Sequence, residues 1–151
     1  MTQGKQSSLL LIERILLLKS LSIFQDTPET ILAEIAHLMI DVHVQKNEQI
    51  VKEGEFGSCM YIILDGIVKV HKGNQLLAKL YRKDFFGELA LLDTETRSAS
   101  VTAETDCMLF RIDQESFYDM IESRPEVVKG VIKMLCKRIR AVNEQLIKLQ
   151  K

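Results

Sequence analysis

A glycine, a glutamate and an arginine at fixed spacing are the residues of this chain whose chemistry points most directly to a ligand. Gly87 and Glu88 open an apolar run, residues 89–92, that predicts a short helix, and Arg97 follows across a polar loop. Backbone N–H groups at the start of a helix bind phosphate, and glycine permits the closest approach. A guanidinium gives paired donors to anionic oxygens, and an ionised carboxylate accepts a hydrogen bond from a sugar hydroxyl. The spacing therefore indicates a site for a phosphorylated sugar.

The composition is that of one ordinary globular domain. The chain has 151 residues, enough for a single hydrophobic core, with 46% hydrophobic and 27% charged residues and a net charge of −1. This balance indicates no overall attraction to nucleic acid or to an anionic membrane. Three cysteines without metal-ligand spacing favour a reduced, cytoplasmic setting: Cys59, Cys107 and Cys136.

The most apolar segment, residues 9–24, contains three charged residues and is too short to span a bilayer, which needs roughly 20 apolar residues. We therefore expect no transmembrane segment. We expect residues 1–8 to form a tail and residues 9–151 to form one domain, which works either alone or as part of a larger protein.

Short strand-like segments, separated by glycine and asparagine, occupy the middle of the chain. They are spaced as in a compact barrel or roll, and Gly73-Asn74 predicts a tight hairpin turn. The predicted strands cover residues 42–44, 50–51, 60–64, 67–70, 76–81, 97–103 and 107–112.

Helical patterns flank these strands, and together they predict an α+β fold. We expect N-terminal helices over residues 9–40, an antiparallel, jelly-roll-like β-roll of about eight strands over residues 41–112, and two C-terminal helices over residues 113–151. A short helix after Gly87 interrupts the roll.

The starts of the helices follow from capping residues. The first helix is apolar on most of its surface, so we expect it to be buried on more than one face. Thr27 is the expected N-cap of the second helix, with Pro28 at its first helical position. Asp113 and Pro125 are expected to open the two C-terminal helices.

The last helix, predicted over residues 125–150, carries an apolar heptad typical of a coiled coil. A second apolar set is placed to face the roll. Because a helix of this length extends beyond a roll of this size, we expect a parallel homodimer through residues 125–150. Its basic residues are expected to be solvated flanks, so we expect no direct nucleic-acid binding by this chain. The heptad residues are Val128, Ile132, Leu135, Ile139, Val142, Leu146 and Leu149, and the second set is Val127, Val131 and Met134.

The run from Phe85 to Leu92, followed by Arg97-Ser98-Ala99, resembles the phosphate-binding cassette of the cyclic nucleotide-binding domain family, in which F-G-E-L-A-L-L precedes R-[ASTV]-A. Residues 54–70 resemble the β-roll signature of that family, G-[ED]-x-G-x-x-[ML]-Y-x-I-x-x-G-x-V-x-V. The resemblance covers about residues 10–150. It implies a β-roll like those of the catabolite activator family and of protein kinase regulatory subunits. We call residues 85–99 the cassette.

The resemblance also implies a function. It implies a regulatory module that binds a 3′,5′-cyclic purine nucleotide, cAMP or cGMP, without a further cofactor. Binding would shift the C-terminal helix and so report to a partner or to an attached effector domain. The cassette residues implied as ligand contacts are Phe86, Gly87, Glu88, Leu89, Ala90, Arg97, Ser98 and Ala99.

Two further inferences come from this resemblance. Regulators of the catabolite activator type carry serine at the position of Ser98 and respond to cAMP, whereas cyclic-GMP-dependent kinases carry threonine, so we favour cAMP. The catabolite activator family covers the adenine with an arginine and two adjacent hydroxyl-bearing residues of the last helix. The matching positions are Arg138, Val142 and Asn143, so Arg138 and Asn143 complete the implied site.

Two departures from the family pattern favour an alternative function. Lys83 stands where the family usually has glycine, and Val142 lacks the hydroxyl of its counterparts. The alternative is a dimerisation or interaction domain that binds no nucleotide. No nucleophile, metal or triad motif accompanies the three histidines, so we do not expect an enzyme.

Overall fold

Within residues 9–150, five α-helices and one 3-10 helix accompany the roll. The computed structural model describes residues 9–150, and the predicted tail, residues 1–8, lies outside the described residues. The helices are α1 (Leu11–Ser20), a 3-10 helix (Ser22–Phe24), α2 (Glu29–Leu38), α3 (Glu88–Leu92), α4 (Gln114–Ser123) and α5 (Glu126–Leu149).

The roll consists of antiparallel strands, which confirms the predicted α+β fold. The described residues contain ten strands rather than about eight, because three strands have only two residues each and are too short to show alternation. The strands are β1 (Ile40–Val44), β2 (Gln49–Val51), β3 (Phe56–Gly57), β4 (Cys59–Asp65), β5 (Val68–Lys72), β6 (Gln75–Leu80), β7 (Phe85–Phe86), β8 (Glu95–Thr96), β9 (Ser100–Ala103) and β10 (Cys107–Asp113).

Two four-stranded sheets and one two-stranded ribbon arrange these strands. The sheet orders are β1-β10-β4-β7 and β2-β9-β5-β6, and the ribbon pairs β3 with β8. The predicted hairpin at Gly73-Asn74 is confirmed, since Lys72 pairs with Gln75 across it. The strand predicted over residues 97–103 begins only at Ser100, so the cassette arginine lies before the strand and not within it.

The sheet that contains β4 and β10 is buried on both faces. Met60 and Ile62 of β4 belong to a core shared with the helices, whereas Ile63 of the same strand points into the roll. Strand β10 divides in the same way, with Phe110 on the helix side and Leu109 on the roll side. Because side chains alternate along a strand, this one sheet connects the helices to the interior of the roll.

Helix α1 differs from its prediction. Only Leu17 and Leu18 are buried along it, while Leu10, Ile12 and Leu16 are more than 60% exposed. The helix packs against α2, and that contact covers one side of it only. The expectation that α1 is buried on more than one face is therefore wrong.

The N-caps of two helices, α2 and α4, also differ from their predictions. Helix α2 begins at Glu29 with Pro28 as its N-cap, one residue later than predicted. The Thr27 hydroxyl is buried and has no hydrogen-bond partner among residues 9–150. Asp113 does occupy the N-cap position of α4, but its side chain makes no cap bond there. Instead it accepts from Arg111 Nε at 2.9 Å.

Helix α5 has two halves with different environments. Val127, Val131 and Met134 are buried against the domain, as predicted for the second apolar set. Beyond Arg138 every residue of the helix is exposed, and the heptad positions from Ile139 onward are uncovered. No helix within residues 9–150 is long and apolar enough to cross a membrane.

The turn before the cassette contains Lys83 at the position where the resemblance implies glycine. Lys83 has φ +74°, in the left-handed region. Its N–H donates to Ile63 O at 2.8 Å, and Asp84 O accepts from Ile63 N at 2.9 Å. These two bonds fix the turn to β4, so the chain tolerates the strained residue instead of moving the cassette.

We expect Lys83→Gly to raise the free energy of unfolding by up to about 1 kcal/mol. A non-glycine residue in this region costs about 1–2 kcal/mol, and the greater entropy of glycine in the unfolded chain offsets part of the gain. Urea unfolding measures the change. Lys72→Gly, at a strand residue outside the left-handed region, is the control and should lower stability by about 0.5–1 kcal/mol. A Lys83→Gly variant less stable than its parent would contradict this account.

Candidate ligand-binding site

The cassette forms one wall of an open cleft of about 240 Å³. Eight of the ten predicted site residues line it, namely Phe86, Gly87, Glu88, Leu89, Ala90, Arg97, Ser98 and Ala99. Four further residues complete the lining: Val51, Val70, Glu95 and Val101. The structure therefore brings all of the predicted cassette contacts together in a single concave surface.

The start of the cassette is positioned by packing inside the roll. Phe86 is buried and stacks on Tyr61, with ring centroids 5.1 Å apart, and β7 pairs with β4 at these residues. Gly87 follows with φ +81°, which turns the chain from β7 into α3. The residues that begin α3 have N–H groups without a partner inside the helix, and they lie in the lining of the cleft.

Arg97 places a guanidinium in this cleft without a counterion. Its Nη2 donates to Cys59 O at 2.9 Å, and Nε is buried without a hydrogen-bond partner. Within residues 9–150 no carboxylate lies within 4.0 Å of its guanidinium nitrogens. Nη2 also lies 3.5 Å from Cys59 Sγ, so both side-chain partners of this half-buried cation among residues 9–150 are neutral groups of one residue. Such a cation is ready to pair with an anion, because a partly buried charge is costly to leave uncompensated.

Two glycines leave the space that this guanidinium fills. A Cβ at Gly57 would lie 2.2 Å from Arg97 Nε, and a Cβ at Gly87 would lie 2.7 Å from Nη1. The backbone of Arg97 is fixed as well, since its N–H donates to Glu55 O at 2.7 Å. The glycine pattern that resembles the family signature therefore has a steric reason at these two positions.

Glu88 pairs with the last helix and not with Arg97. Its Oε1 accepts from Arg138 Nη1 at 2.7 Å, with 18% of the Glu88 side chain exposed and 36% of the Arg138 side chain. This contact brings one of the two predicted α5 residues to the edge of the cleft. Asn143, the other one, is exposed further along α5 and is not part of the cleft lining.

The apolar part of the lining was not predicted from the sequence. Val101 of β9 is the cross-strand partner of both Val51 in β2 and Val70 in β5. Three valines from distant segments thus form one continuous apolar wall. Their alternation marked them as strand residues, but only the pairing of the strands shows that they meet at the cassette. Glu95 was also missed, because it stands in a polar loop that carries no distinctive pattern.

The phenol of Tyr61 stays neutral beside the cassette. Burial is the main cause that raises its pKa to about 12, and the nearby Cys59 thiol acts in the same direction, while Arg111 and Arg97 partly oppose the shift. A neutral ring at physiological pH is suited to stacking on Phe86. Burial also raises the pKa of the Cys107 thiol inside the roll, so that thiol serves as a packing group.

Comparison with known proteins identifies the class of this domain. A sequence model of the cyclic nucleotide-binding domain family matches residues 41–124, more than half of the chain. The chain belongs to this family, and it is a regulatory domain homologous to those of transcriptional regulators and cyclic-nucleotide-dependent kinases.

Three relatives illustrate the relationship. The CRP-like cAMP-activated global transcriptional regulator of Mycobacterium tuberculosis is 29% identical over 129 residues, which are 82% of this chain and 58% of the regulator. The cGMP-dependent protein kinase 2 of Homo sapiens is 34% identical over 119 residues, which are 74% of this chain and 16% of the kinase. The crystal structure of the N-terminal domain of a transcriptional regulator from Streptomyces coelicolor A3(2) gives a TM-score of 0.80 at 25% identity, and the match covers 86% of this chain and 94% of that domain. The chain spans less than two thirds of either curated relative.

We expect Gly57→Ala to abolish most ligand binding without unfolding the domain. The added methyl would occupy the position of Arg97 Nε, so the flexible guanidinium must leave its place while the backbone can stay. Calorimetric titration with cAMP should show at least about tenfold weaker binding, because a charge-assisted hydrogen bond is lost. The control is Ser58→Ala at the exposed neighbouring residue, which should bind like the parent. Unchanged binding by Gly57→Ala would show that the position of Arg97 is unimportant.

Proposed function

We propose that this domain binds a 3′,5′-cyclic purine nucleotide, with cAMP preferred over cGMP, and reports binding through α5. The single observation that carries the proposal is the uncompensated guanidinium of Arg97, which lies in a cleft together with the start of α3. The anion that it would accept is the cyclic phosphate. All three cysteines are free thiols, which supports our expectation of a reduced, cytoplasmic setting.

The cleft offers a matching group for each part of the ligand. Arg97 and the N–H groups of the first residues of α3 are suited to the phosphate oxygens. Glu88 is suited to accept from the ribose 2′-hydroxyl. The apolar wall of Val51, Val70 and Val101 is suited to the face of a purine, which buries apolar area there.

The preference for cAMP rests on Ser98, which lines the cleft beside Arg97. In the resemblance described above, serine at this position accompanies a response to cAMP. The relatives' names support both nucleotides, since the mycobacterial regulator is called cAMP-activated and the kinase cGMP-dependent. Titration with the two nucleotides measures the preference directly.

A report through α5 is supported by the ion pair between Glu88 and Arg138. Glu88 belongs to the cassette and Arg138 to α5, so a ligand that engages Glu88 changes the contact that α5 makes. The ion pair itself is worth only about 0–1 kcal/mol at this exposure, which allows it to rearrange. A ligand shifts α5 only to the extent that it binds the two helix positions with different affinity.

Other contacts hold α5 to the N-terminal helices. Lys137 Nζ pairs with Asp26 at 3.2 Å, and Arg124, between α4 and α5, pairs with Glu34 of α2 at 2.9 Å. These pairs are exposed and weak. The part of α5 beyond the buried Met134 could therefore change its contacts with the N-terminal part of the domain at little energetic cost, and that part could pass the change to an attached domain.

A homodimer through α5 is supported by the uncovered distal half of the helix. Ile139, Val142 and Leu146 are 59%, 53% and 52% exposed and lie along one heptad stripe. An exposed apolar stripe of this kind marks an interaction surface. In a parallel coiled coil the g and e positions flank this stripe and face the partner. Arg138 and Asn143 occupy such positions, so both would lie beside the interface of the dimer.

We expect Arg97→Lys to weaken cAMP binding by at least tenfold, or about 1.4 kcal/mol, because an ammonium cannot offer the paired donors of a guanidinium. Thermal unfolding with and without cAMP, at a hundredfold excess over the dissociation constant, measures this. The parent should gain about 2.7 kcal/mol of stability, and Arg97→Lys should gain much less at the same concentration.

Arg111→Lys, at a residue outside the cleft, is the matched control and should respond to cAMP like the parent. A parent protein that is stabilised by neither cAMP nor cGMP would contradict the proposal. That result would favour the alternative of a dimerisation domain without a nucleotide.

The dimer has its own test. The parent should have the mass of a dimer in light scattering at tens of micromolar, and Ile139→Lys combined with Leu146→Lys should give a folded monomer, because two charges would enter the apolar stripe. Lys133→Glu combined with Lys148→Glu, at exposed residues off the stripe, is the control and should remain dimeric. A monomeric parent would show that α5 does not join two copies.

A further inference from the structure

Two carboxylates and one guanidinium are the charged groups that line the cleft: Glu88, Glu95 and Arg97. We propose that Glu95 is a specificity-determining residue that makes the site accept a singly charged phosphodiester and reject phosphomonoesters and polyphosphates. This inference rests on the proposed function, because it concerns the phosphate that Arg97 would bind.

The position of Glu95 places its charge next to the phosphate site. Glu95 lies in β8 and is the cross-strand partner of Gly57 in β3. Gly57 is the glycine whose Cβ would lie 2.2 Å from Arg97 Nε. The backbone of Glu95 therefore lies opposite the glycine that borders the guanidinium, and Glu95 is one of the residues that line the same cleft.

Among residues 9–150, no cation forms an ion pair that compensates the charge of Glu95. Within residues 9–150 its carboxylate forms no ion pair within 4.0 Å, neither with Arg97 nor with another cation. Glu88 differs, because its carboxylate is held by Arg138 at 2.7 Å. Of the two carboxylates in the cleft, Glu95 is thus the one whose field acts on a bound anion without local compensation.

The effect of this field depends on the charge of the ligand. Coulomb energy is proportional to charge. A cyclic phosphodiester carries one negative charge, whereas a phosphomonoester above its second pKa of about 6 carries close to two. Repulsion by Glu95 therefore penalises a monoester about twice as strongly in free energy as a cyclic diester. Because Arg138 compensates Glu88, the charges of Arg97 and Glu95 nearly cancel in the cleft, so a second ligand charge gains no net attraction there.

A different function of Glu95 leads to a different result. A carboxylate can accept hydrogen bonds from the N–H groups on the edge of guanine, and that would favour cGMP over cAMP. Removing the charge would then change the ratio of the two cyclic nucleotides and leave the discrimination against monoesters unchanged. The two functions can be separated with the same set of ligands.

The experiment compares cAMP, cGMP and 5′-AMP on the parent and on Glu95→Gln at pH 8 and low salt, with 5′-AMP measured by displacement of cAMP. The matched control is Asp93→Asn, which removes the same charge from an exposed residue nearby that does not line the cleft. Glu95 is itself exposed, so Glu95→Gln should unfold at the temperature of the parent.

We expect Glu95→Gln to bind cAMP about threefold more tightly and 5′-AMP about ninefold more tightly than the parent does. The preference for cAMP over 5′-AMP should therefore fall by about threefold. The ratio of cGMP to cAMP should stay constant, and Asp93→Asn should leave all three affinities close to those of the parent. At about 1 M salt the difference between Glu95→Gln and the parent should largely vanish, because the Debye length falls to about 3 Å.

Results that contradict the role of Glu95 can be distinguished from results that contradict nucleotide binding itself. A parent that binds cAMP, with the same discrimination against 5′-AMP in Glu95→Gln, would refute the role of Glu95 and leave nucleotide binding intact. A change in the cGMP to cAMP ratio alone would assign Glu95 to base recognition instead. A parent that binds neither cyclic nucleotide would remove the proposed function and this inference together.

Discussion

The placement of one guanidinium without a counterion is the constraint on which the site depends. Arg97 is held by a neutral carbonyl, by its own fixed backbone and by the space beside Gly57 and Gly87. Glu55, Gly57 and Cys59 supply these supports from one stretch of the roll, and Gly87 supplies the remaining space from the cassette. A partly buried cation that pairs with no carboxylate among residues 9–150 interacts strongly with an anion, because the protein around it screens the attraction less than bulk water does.

The second feature of the domain is that the two halves of α5 have different environments. Its first half is buried against the core, and its distal half presents an uncovered apolar stripe. Arg138 lies where the two halves meet, and its pair with Glu88 connects the helix to the cassette. The helix therefore touches the core and, through Arg138, the cassette, while its distal half is exposed.

The sequence predicted the fold class, the longer strands and the cassette well, because local spacing carries that information. The predicted turn at Gly73-Asn74 and the buried stripe of Val127 and Met134 are confirmed for the same reason. The predicted burial of α1 on several faces was wrong, since an apolar composition does not show how many neighbours a helix will have. The two-residue strands were missed, because alternation needs a longer segment to become visible.

Local spacing alone identifies the groups that the site can use: glycines, a glutamate and an arginine that share one loop. The distant groups that meet this loop depend on the fold as a whole. Val51 and Val70 reach it because both pair with Val101. Arg138 reaches it because α5 packs on the core. The physical reason is that spacing controls short-range backbone geometry, whereas long-range contacts depend on strand pairing and helix packing, which no local pattern encodes.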